Sequence, residues 1–216
     1  GAKNITVKNC VISYLGGCYI PGYKDGMVRY GNAIEFWQGC ENVSIENCWI
    51  HDIYDSGISH QGHGSYVVKN ITFCNNLIEY CGMGSIEYWL WYRCEDENWA
   101  ENVRYSDNIM RFAGYGFGGE QRPDKVSAHI LSNGNNQNKF LGFCIEGNIF
   151  DRSSCELIEI SSRENTYPEL KANTYIQGRG LKLGTFAESR DVVFDDLAED
   201  IIVNEWGDTF AKVYCI

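Results

Sequence analysis

The stretch Asn42-Val-Ser-Ile-Glu-Asn-Cys-Trp-Ile-His-Asp-Ile-Tyr-Asp-Ser-Gly-Ile-Ser-His-Gln61 decides the fold of this chain. It holds two short apolar runs, Val43/Ile45 and Trp49/Ile50, which are separated by a polar corner at Glu46–Asn47. A third short run follows Gly57. Runs this short, with polar residues between the apolar ones, predict very short β-strands joined by tight corners.

The same pattern recurs along the chain. Further copies begin at Asn4, Asn70, Asn102 and Gly142, and a weaker copy begins at Asn173. Successive copies start between 28 and 40 residues apart. A repeat of this length that is built from short strands indicates stacked coils, in which no single unit can bury its own apolar face.

Length and composition predict one globular domain over residues 1–216, with coils at about 4–185 and a C-terminal cap at about 186–216. The net charge of −11 disfavours nucleic acid and anionic membranes as partners. Because Asn4 already begins a full repeat, we expect further coils upstream in a longer parent protein. Phe194–Ile202 is the one stretch for which a short helical turn is predicted.

The ten cysteines include no C-x-x-C pair, so a zinc ribbon or thioredoxin motif is not supported. Cys10 and Cys48 occupy the corner position that asparagine takes in three other copies, at Asn76, Asn108 and Asn148. Equivalent positions in stacked coils lie about 4.8 Å apart, which would permit a disulfide, but we favour stacked free thiols. Many free cysteines favour a reducing or anaerobic setting.

Inward-facing apolar residues recur at the same places in each copy, and stacking them produces continuous apolar ladders. The predicted inward positions are Ile5/Val7, Val43/Ile45, Ile71/Phe73, Val103/Tyr105, Phe143/Ile145, and then Ile12, Ile50, Ile78, Met110 and Phe150. The corner asparagines can hydrogen-bond to their counterparts in the coils above and below.

This repeated Asn-Val-Ser-Ile-Glu-Asn-Cys-Trp-Ile pattern, followed by Asp-Ser-Gly-Ile, resembles the right-handed parallel β-helix of the pectate-lyase-like superfamily, to about residue 185. The resemblance implies an all-β solenoid of about six coils in a bacterial, carbohydrate-directed protein. It also implies a secreted or cell-surface location, although the many cysteines leave the cytoplasm open. The fold hosts lyases, hydrolases, esterases and binding proteins, so it does not fix the chemistry.

The third strand of each coil carries the candidate chemistry. Aligning these strands on Ile34, Ile58, Ile86, Phe117 and Ile158 predicts an outward column of Glu35, Ser59, Glu87, Gly118 and Glu159. Two residues further on, the outward column reads Trp37, Gln61, Trp89, Glu120 and Ser161.

Glutamates on alternate coils would lie about 9.6 Å apart at the backbone, and side chains can bring them to the roughly 6.5–9.5 Å of an inverting carboxylate pair. We therefore expect a glycoside hydrolase whose acid and base are two of Glu35, Glu87, Glu159, Asp55 and Glu120. The substrate-binding candidates are Trp37, Trp89, Gln61, His60 and Tyr88, of which His60 and Tyr88 can also point inward. The alternative is that these glutamates are solvated surface and the tryptophans pack under loops.

Two further groups are ambiguous. Asp55 can act as an acid or a base, but Asp-Ser-Gly is also ordinary turn chemistry. On the long excursion after coil four, Arg122 and Asp124 can fold over the face and bind substrate, or form a structural salt bridge.

No cofactor or metal site is predicted, because His60, His63 and Asp52 lack a tight ligand spacing. Calcium on the carboxylate row is the possible exception. Two other functions stay open beside the hydrolase. A polysaccharide lyase needs a Lys or Arg base, and a glycan-binding or adhesion module needs only the tryptophans.

Overall fold

The computed structural model describes residues 1–17, 30–62, 67–90, 99–122, 125–132, 139–160, 168–178, 180–184 and 211–215. Within these residues the chain forms short strands and one short helix, α1, at Gly116–Gln121. The first nine strands are β1 Ala2–Lys8, β2 Val11–Ser13, β3 Ile34–Trp37, β4 Cys40–Glu46, β5 Trp49–Ile53, β6 Ser56–Gly62, β7 Val67–Cys74, β8 Leu77–Cys81 and β9 Gly84–Leu90. The others are β10 Trp99–Ser106, β11 Ile109–Ala113, β12 Ala128–Ser132, β13 Lys139–Glu146, β14 Ile149–Ser153, β15 Glu156–Ile160, β16 Glu169–Lys171, β17 Asn173–Gln177, β18 Lys182–Gly184 and β19 Ala211–Cys215.

Every third strand joins the same parallel sheet, so each coil contributes one strand to each of three sheets. Sheet A is β1-β4-β7-β10-β13-β16, sheet B is β2-β5-β8-β11-β14-β17-β19, and sheet C is β3-β6-β9-β12-β15-β18. This is a parallel β-helix of six coils, which confirms the predicted fold class. Of the predicted cap, residues 186–210 and 216 lie outside the described residues, and β19 adds a seventh strand to sheet B.

The core is a set of apolar ladders inside the three sheets. Sheet A supplies Ile45, Phe73, Tyr105 and Ile145, all of them fully buried. Sheet B supplies Ile50, Ile78, Met110 and Phe150, and these are also fully buried. The inward positions predicted from the alternation are therefore confirmed over coils two to five, because residues that share a register stack on one another.

Left-handed backbone conformations explain why asparagine marks the repeats. The first residues of four copies, Asn4, Asn42, Asn70 and Asn102, have φ between 52° and 57°. The corner residues before the second strand repeat this geometry at Asn9, Asn47, Asn75, Asp107 and Gly147. Asn, Asp and Gly are the residues that adopt this region at least cost. The repeat signature is therefore a conformational requirement of the coil.

A buried asparagine ladder holds the corner between sheets A and B. Asn76 donates its side-chain amide to Asn108 Oδ1 at 3.0 Å, Asn108 to Asn148 at 2.9 Å, and Asn148 to Asn173 at 3.1 Å. Asn173 thus occupies the corner position and does not begin a repeat, so the predicted alignment of the sixth copy is wrong. Leu170 of β16 pairs with Ile145 and shows where that copy lies.

In coils one and two, Cys10 and Cys48 occupy the position that Asn76, Asn108 and Asn148 take in the later coils, as predicted from their alignment with the asparagines. Trp49 donates its backbone amide to the Cys10 carbonyl, and Leu77 donates to the Cys48 carbonyl. Both thiols are free. The prediction of free thiols at this position is confirmed.

Coil four departs from the predicted alignment. Gly116-Phe-Gly-Gly-Glu resembles a strand in its alternation but forms α1, and the strand of sheet C is β12, where Ile130 pairs with Ile86 and Ile158. Close packing fixes the helix, since a Cβ added to Gly118 would lie 2.5 Å from the carbonyl oxygen of Tyr54. The turn predicted at Phe194–Ile202 lies outside the described residues. Within the described ranges, no helix is long and apolar enough to cross a membrane.

Candidate functional site

The outward column of sheet C is formed largely as the sequence predicts. Glu35 pairs with Ser59 and Ser59 with Glu87, and the column continues through Leu131 to Glu159. Leu131 takes the place predicted for Gly118, because coil four contributes β12 to this sheet. Three glutamates therefore lie on alternate coils of one column.

Glu87 lies at the centre of this column and is enclosed, with only 2% of its surface exposed. Ser59 Oγ donates a hydrogen bond to Glu87 Oε2 at 3.0 Å, and Gln61 Nε2 donates to the same oxygen at 3.0 Å. Gln61 Nε2 also lies 2.9 Å from Ser59 Oγ, which completes a small network. The strand pairing of β6 with β9 holds all three side chains on the same face.

Burial dominates the protonation of Glu87. Removing the carboxylate from water raises its pKa to about 7, and the hydrogen bonds from Ser59 and Gln61 offset part of that effect. The negative charge of Glu35 raises the pKa of Glu87 further. A carboxyl group with a pKa near neutrality can donate or accept a proton at physiological pH, which is what general acid–base catalysis requires.

The ends of the column are more open than its centre. Glu35 is exposed and Glu159 is half-buried. Glu35 and Glu87 are two strands apart, which corresponds to about 9.6 Å between their backbones. Trp37, in register with Gln61 and the backbone of Trp89, has 50% of its surface exposed. The side chain of Trp89 and residues Ser161 and Asp124 lie outside the described residues.

His60 and Tyr88 point into the solenoid, which is the inward alternative that the sequence left open for these two residues. The His60 ring stacks on Phe36 with ring centroids 5.0 Å apart, and its Nε2 is hydrogen-bonded to the Tyr105 hydroxyl. Burial lowers the pKa of His60 to about 3. Tyr88 is 2% exposed and packs edge-on against Phe143. The alternation that turns Ser59 and Glu87 outward turns these two rings inward.

Glu120 is also misplaced by the sequence, because it lies on α1 and not in the tryptophan column. Its backbone carbonyl accepts a hydrogen bond from Lys125 Nζ at 2.9 Å. The column position predicted for Glu120 is two residues after Leu131, at residue 133, and lies outside the described residues.

Asp55 and Arg122 form an ion pair that ties α1 to the corner of coil two. Asp55 Oδ2 also accepts the backbone N–H of Gly31 at 2.8 Å, and the Arg122 guanidinium lies 5.8 Å from the centre of the Tyr54 ring. The two side chains are only 9% and 13% exposed. Of the two interpretations of Arg122, this geometry matches the structural salt bridge.

The sequence did not single out Ser59 or Leu131 as parts of the site. Ser59 donates a hydrogen bond to the buried carboxyl, and Leu131 pairs with Glu87 in the same column and belongs to an apolar cluster with Met83 and Ala128. The position of Ser59 one coil below Glu87 was readable from the repeat, whereas Leu131 required the path of the excursion after coil four. Among the described residues, no group of three or more His, Cys, Asp and Glu side chains could hold a metal ion.

Comparison of the chain with family models, with curated proteins and with solved structures gives no match. The chemistry of the sheet C column is therefore the basis for assigning a function.

Proposed function

We propose that this chain is a carbohydrate-active protein of the pectate-lyase-like superfamily that hydrolyses a glycosidic bond on the outer face of sheet C. One observation carries the proposal. Glu87 has a pKa of about 7 and shares a column with the exposed carboxylate of Glu35, two coils away. Pairs of carboxyl groups in such different environments divide naturally into an acid and a base.

In this mechanism Glu87 supplies the proton. Near neutral pH a large share of Glu87 is protonated, so it can protonate the oxygen of the leaving group. Glu35, exposed to water, takes a proton from the attacking water molecule. The spacing of two strands leaves room for that water, and hydrolysis of this kind inverts the configuration of the sugar.

Trp37 and Gln61 would bind the substrate. The exposed indole of Trp37 offers a flat face for a sugar ring on the pleat next to Glu35. Gln61 is half-buried and donates to Glu87, so a substrate hydroxyl that replaced its amide would open access to the carboxyl. Binding of substrate and exposure of the acid would then be coupled.

The test is a panel of plant and host polysaccharides, with new reducing ends and the ultraviolet absorbance of an unsaturated uronate measured in parallel. We expect reducing ends without absorbance, and a loss of about 10²–10⁴-fold in Glu87→Gln and in Glu35→Gln. Glu41→Gln is the matched control, since Glu41 is a half-exposed glutamate of sheet A that is paired with Lys3. Unchanged hydrolysis in Glu87→Gln would overturn the assignment.

A non-catalytic glycan-binding module is the second candidate, and the enclosure of Glu87 favours it. On that account Glu87→Gln keeps its affinity for a polysaccharide that Trp37→Ala no longer binds, and no reducing ends form. A lyase would produce the absorbance of the uronate. The lyase has less support, because it needs a Lys or Arg base and Arg122, on the excursion after coil four, is engaged with Asp55.

A further inference from the structure

The outer face of sheet B carries an apolar stripe that runs along the solenoid. Its members share one register and are Val11, Trp49, Leu77, Ile109 and Ile149. Val11 is 64% exposed, Trp49 and Ile109 are each 42% exposed, and Ile149 is 37% exposed. Exposed apolar surface that is contiguous in this way marks an interaction site.

Two further columns lie beside the apolar stripe. The charge column lies two residues after the apolar stripe in each strand and consists of Ser13, His51, Glu79, Arg111 and Asp151. The corner column, one residue further, is Tyr14, Asp52, Tyr80, Phe112 and Arg152, with φ between 51° and 57° throughout. Bulky residues in this left-handed region are strained, and packing within the chain offsets that cost. Tyr80 stacks on Phe112 with ring centroids 5.0 Å apart, and Tyr14 stacks on Phe117 of α1.

We propose that this face of sheet B pairs with the same face of a second copy of the chain, with the two solenoids antiparallel. The two-fold axis runs parallel to the strands, between coils three and four. Such an axis reverses the order of the coils in the second copy, and each column of one chain then faces the same column of the second copy. Coil three then faces coil four of the second copy, and coil two faces coil five.

The charges on this face are self-complementary under that rotation. Glu79 of coil three faces Arg111 of the second copy, and Arg111 faces its Glu79, so the central contact is made twice. In coils two and five, His51 faces an aspartate of the second copy, Asp151. In the corner column Asp52 likewise faces an arginine, Arg152.

The apolar groups match in the same arrangement. Leu77 faces Ile109 at the centre of the stripe, and Trp49 faces Ile149 further out. In the corner column, Tyr80 and Phe112 stack on each other within one chain at 5.0 Å, and this aromatic pair faces the same pair of the second copy. Under this rotation, apolar side chains therefore face apolar side chains at each of the central positions.

The charged side chains of the face are already held in place within one chain. Glu79 accepts from Trp49 Nε1 at 3.0 Å and lies 3.5 Å from Arg111 Nε. Asp151 forms two hydrogen bonds with Arg152, at 2.8 and 3.0 Å. The side chains of Glu79 and Asp151 are already only 12% and 14% exposed. Association therefore covers mainly the two arginines and orders few side chains, which lowers its entropic cost.

The size of the face sets the expected strength. Six strands span about 24 Å along the solenoid and five residues span about 17 Å across it, which gives about 400 Å² per copy. A standard stable interface buries about 800 Å² per partner. We therefore expect a weak dimer that forms and dissociates readily, with a dissociation constant of roughly 10–300 µM.

The test is sedimentation velocity on the whole chain from about 1 µM to about 1 mM, a range that brackets the expected dissociation constant. Wild type is expected to shift from monomer to dimer over this range. Glu79→Arg and Arg111→Glu each place two like-charged pairs at the centre, so each variant alone is expected to stay monomeric. A mixture of the two restores opposite charges at both contacts and is expected to dimerise at least as well as wild type.

The mixture distinguishes the effect of the interface from the effect of losing the Glu79–Arg111 ion pair within one chain. Both variants lack that ion pair, so only a contact between the two chains can make the mixture dimerise. Lys69→Glu and Glu101→Lys are the matched controls, since these residues form a 2.8 Å ion pair on sheet A at coils three and four. Both controls are expected to dimerise like wild type.

A wild-type chain that remains monomeric to about 1 mM would overturn the proposal, since that concentration exceeds the dissociation constant expected of a weak but specific contact. A mixture no better than its components would overturn the two-fold arrangement. A monomeric wild type whose glycan affinity falls in Trp49→Ala would overturn it as well, and would make the stripe a glycan surface.

Discussion

Replacing Glu87 with glutamine is expected to change the way the stability of this protein depends on pH. Burial raises the pKa of Glu87 from 4.5 to about 7 in the folded state. At 1.36 kcal/mol per pKa unit, the difference between the folded and unfolded states corresponds to about 3 kcal/mol. Glutamine keeps an oxygen that can accept from Ser59 and Gln61 but has no proton to lose.

The sign follows from which state holds the proton more tightly. The folded state binds the Glu87 proton more strongly than the unfolded state does, because folding buries the carboxyl. Wild type is therefore most stable, relative to Glu87→Gln, below pH 4.5. That advantage decreases as the pH rises towards 7 and does not change further above it.

Urea unfolding at pH 4.5 and at pH 8 measures the effect. The free energy of unfolding of Glu87→Gln minus that of wild type is expected to increase by about 3 kcal/mol between these two pH values. Burial lowers the pKa of His60 to about 3 and that of His129 to about 4. Both histidines destabilise the fold below pH 6.5, but they do so in both proteins and cancel in the difference.

Glu41→Gln provides a control that is expected to be nearly flat over this pH range. The hydrogen bond and the charge of Lys3 lower the pKa of Glu41 in the folded state. Its contribution to stability is therefore present above its ordinary pKa of 4.5 and is lost only as the pH falls below that value, so the difference for Glu41→Gln should change little between pH 4.5 and pH 8. A difference for Glu87→Gln that is flat with pH would refute the burial argument and the acid role that depends on it.

Three further changes test the fold. Asn108→Ala removes both the donor and the acceptor of a buried ladder position and is expected to cost about 3 kcal/mol or more by urea unfolding. Asn102→Gly removes only an exposed hydrogen bond to Asn70 and keeps a residue that adopts φ of 52° without strain, so it should cost less than about 1 kcal/mol. Ala172→Gly is expected to raise the thermal midpoint, with a gain of about 1 kcal/mol, since Ala172 is exposed and has φ of 49°; a lower midpoint would contradict this. Arg122→Ala leaves Asp55 buried without its cation and is expected to lower the free energy of unfolding by about 3–5 kcal/mol; a loss of less than about 1 kcal/mol would mean that water replaces the guanidinium.

The fold was predictable because it is encoded locally and then repeated. Residues at the Asn42 position must adopt a left-handed conformation in each coil, and only a few residue types do so cheaply. The alternation that follows sets which side chains face inward, so Ile45 and Ile50 could be assigned to the core from their neighbours alone. Stacking copies of such a unit requires no further information, since each strand pairs with its counterpart.

The wrong predictions concern residues at which the path of the folded chain differs from the one that the local alternation indicates. Glu120 follows an alternating stretch, yet glycine packing against coil two makes that stretch α1, and the chain reaches sheet C only at β12. For His60 the sequence leaves both orientations open, and the structure takes the inward one because its neighbours Ser59 and Gln61 face outward.

Sequence by itself determined the coil, its three strands, the asparagine corners and the column of glutamates. Only the tertiary structure distinguished the glutamates from one another. Glu35, Glu87 and Glu159 all follow an isoleucine in the third strand of a coil, yet one is exposed, one is 2% exposed and one is half-buried. The pKa of a carboxyl group depends on the water and the hydrogen-bond donors around it. Those neighbours come from other coils, tens of residues away in the chain, and folding alone brings them together.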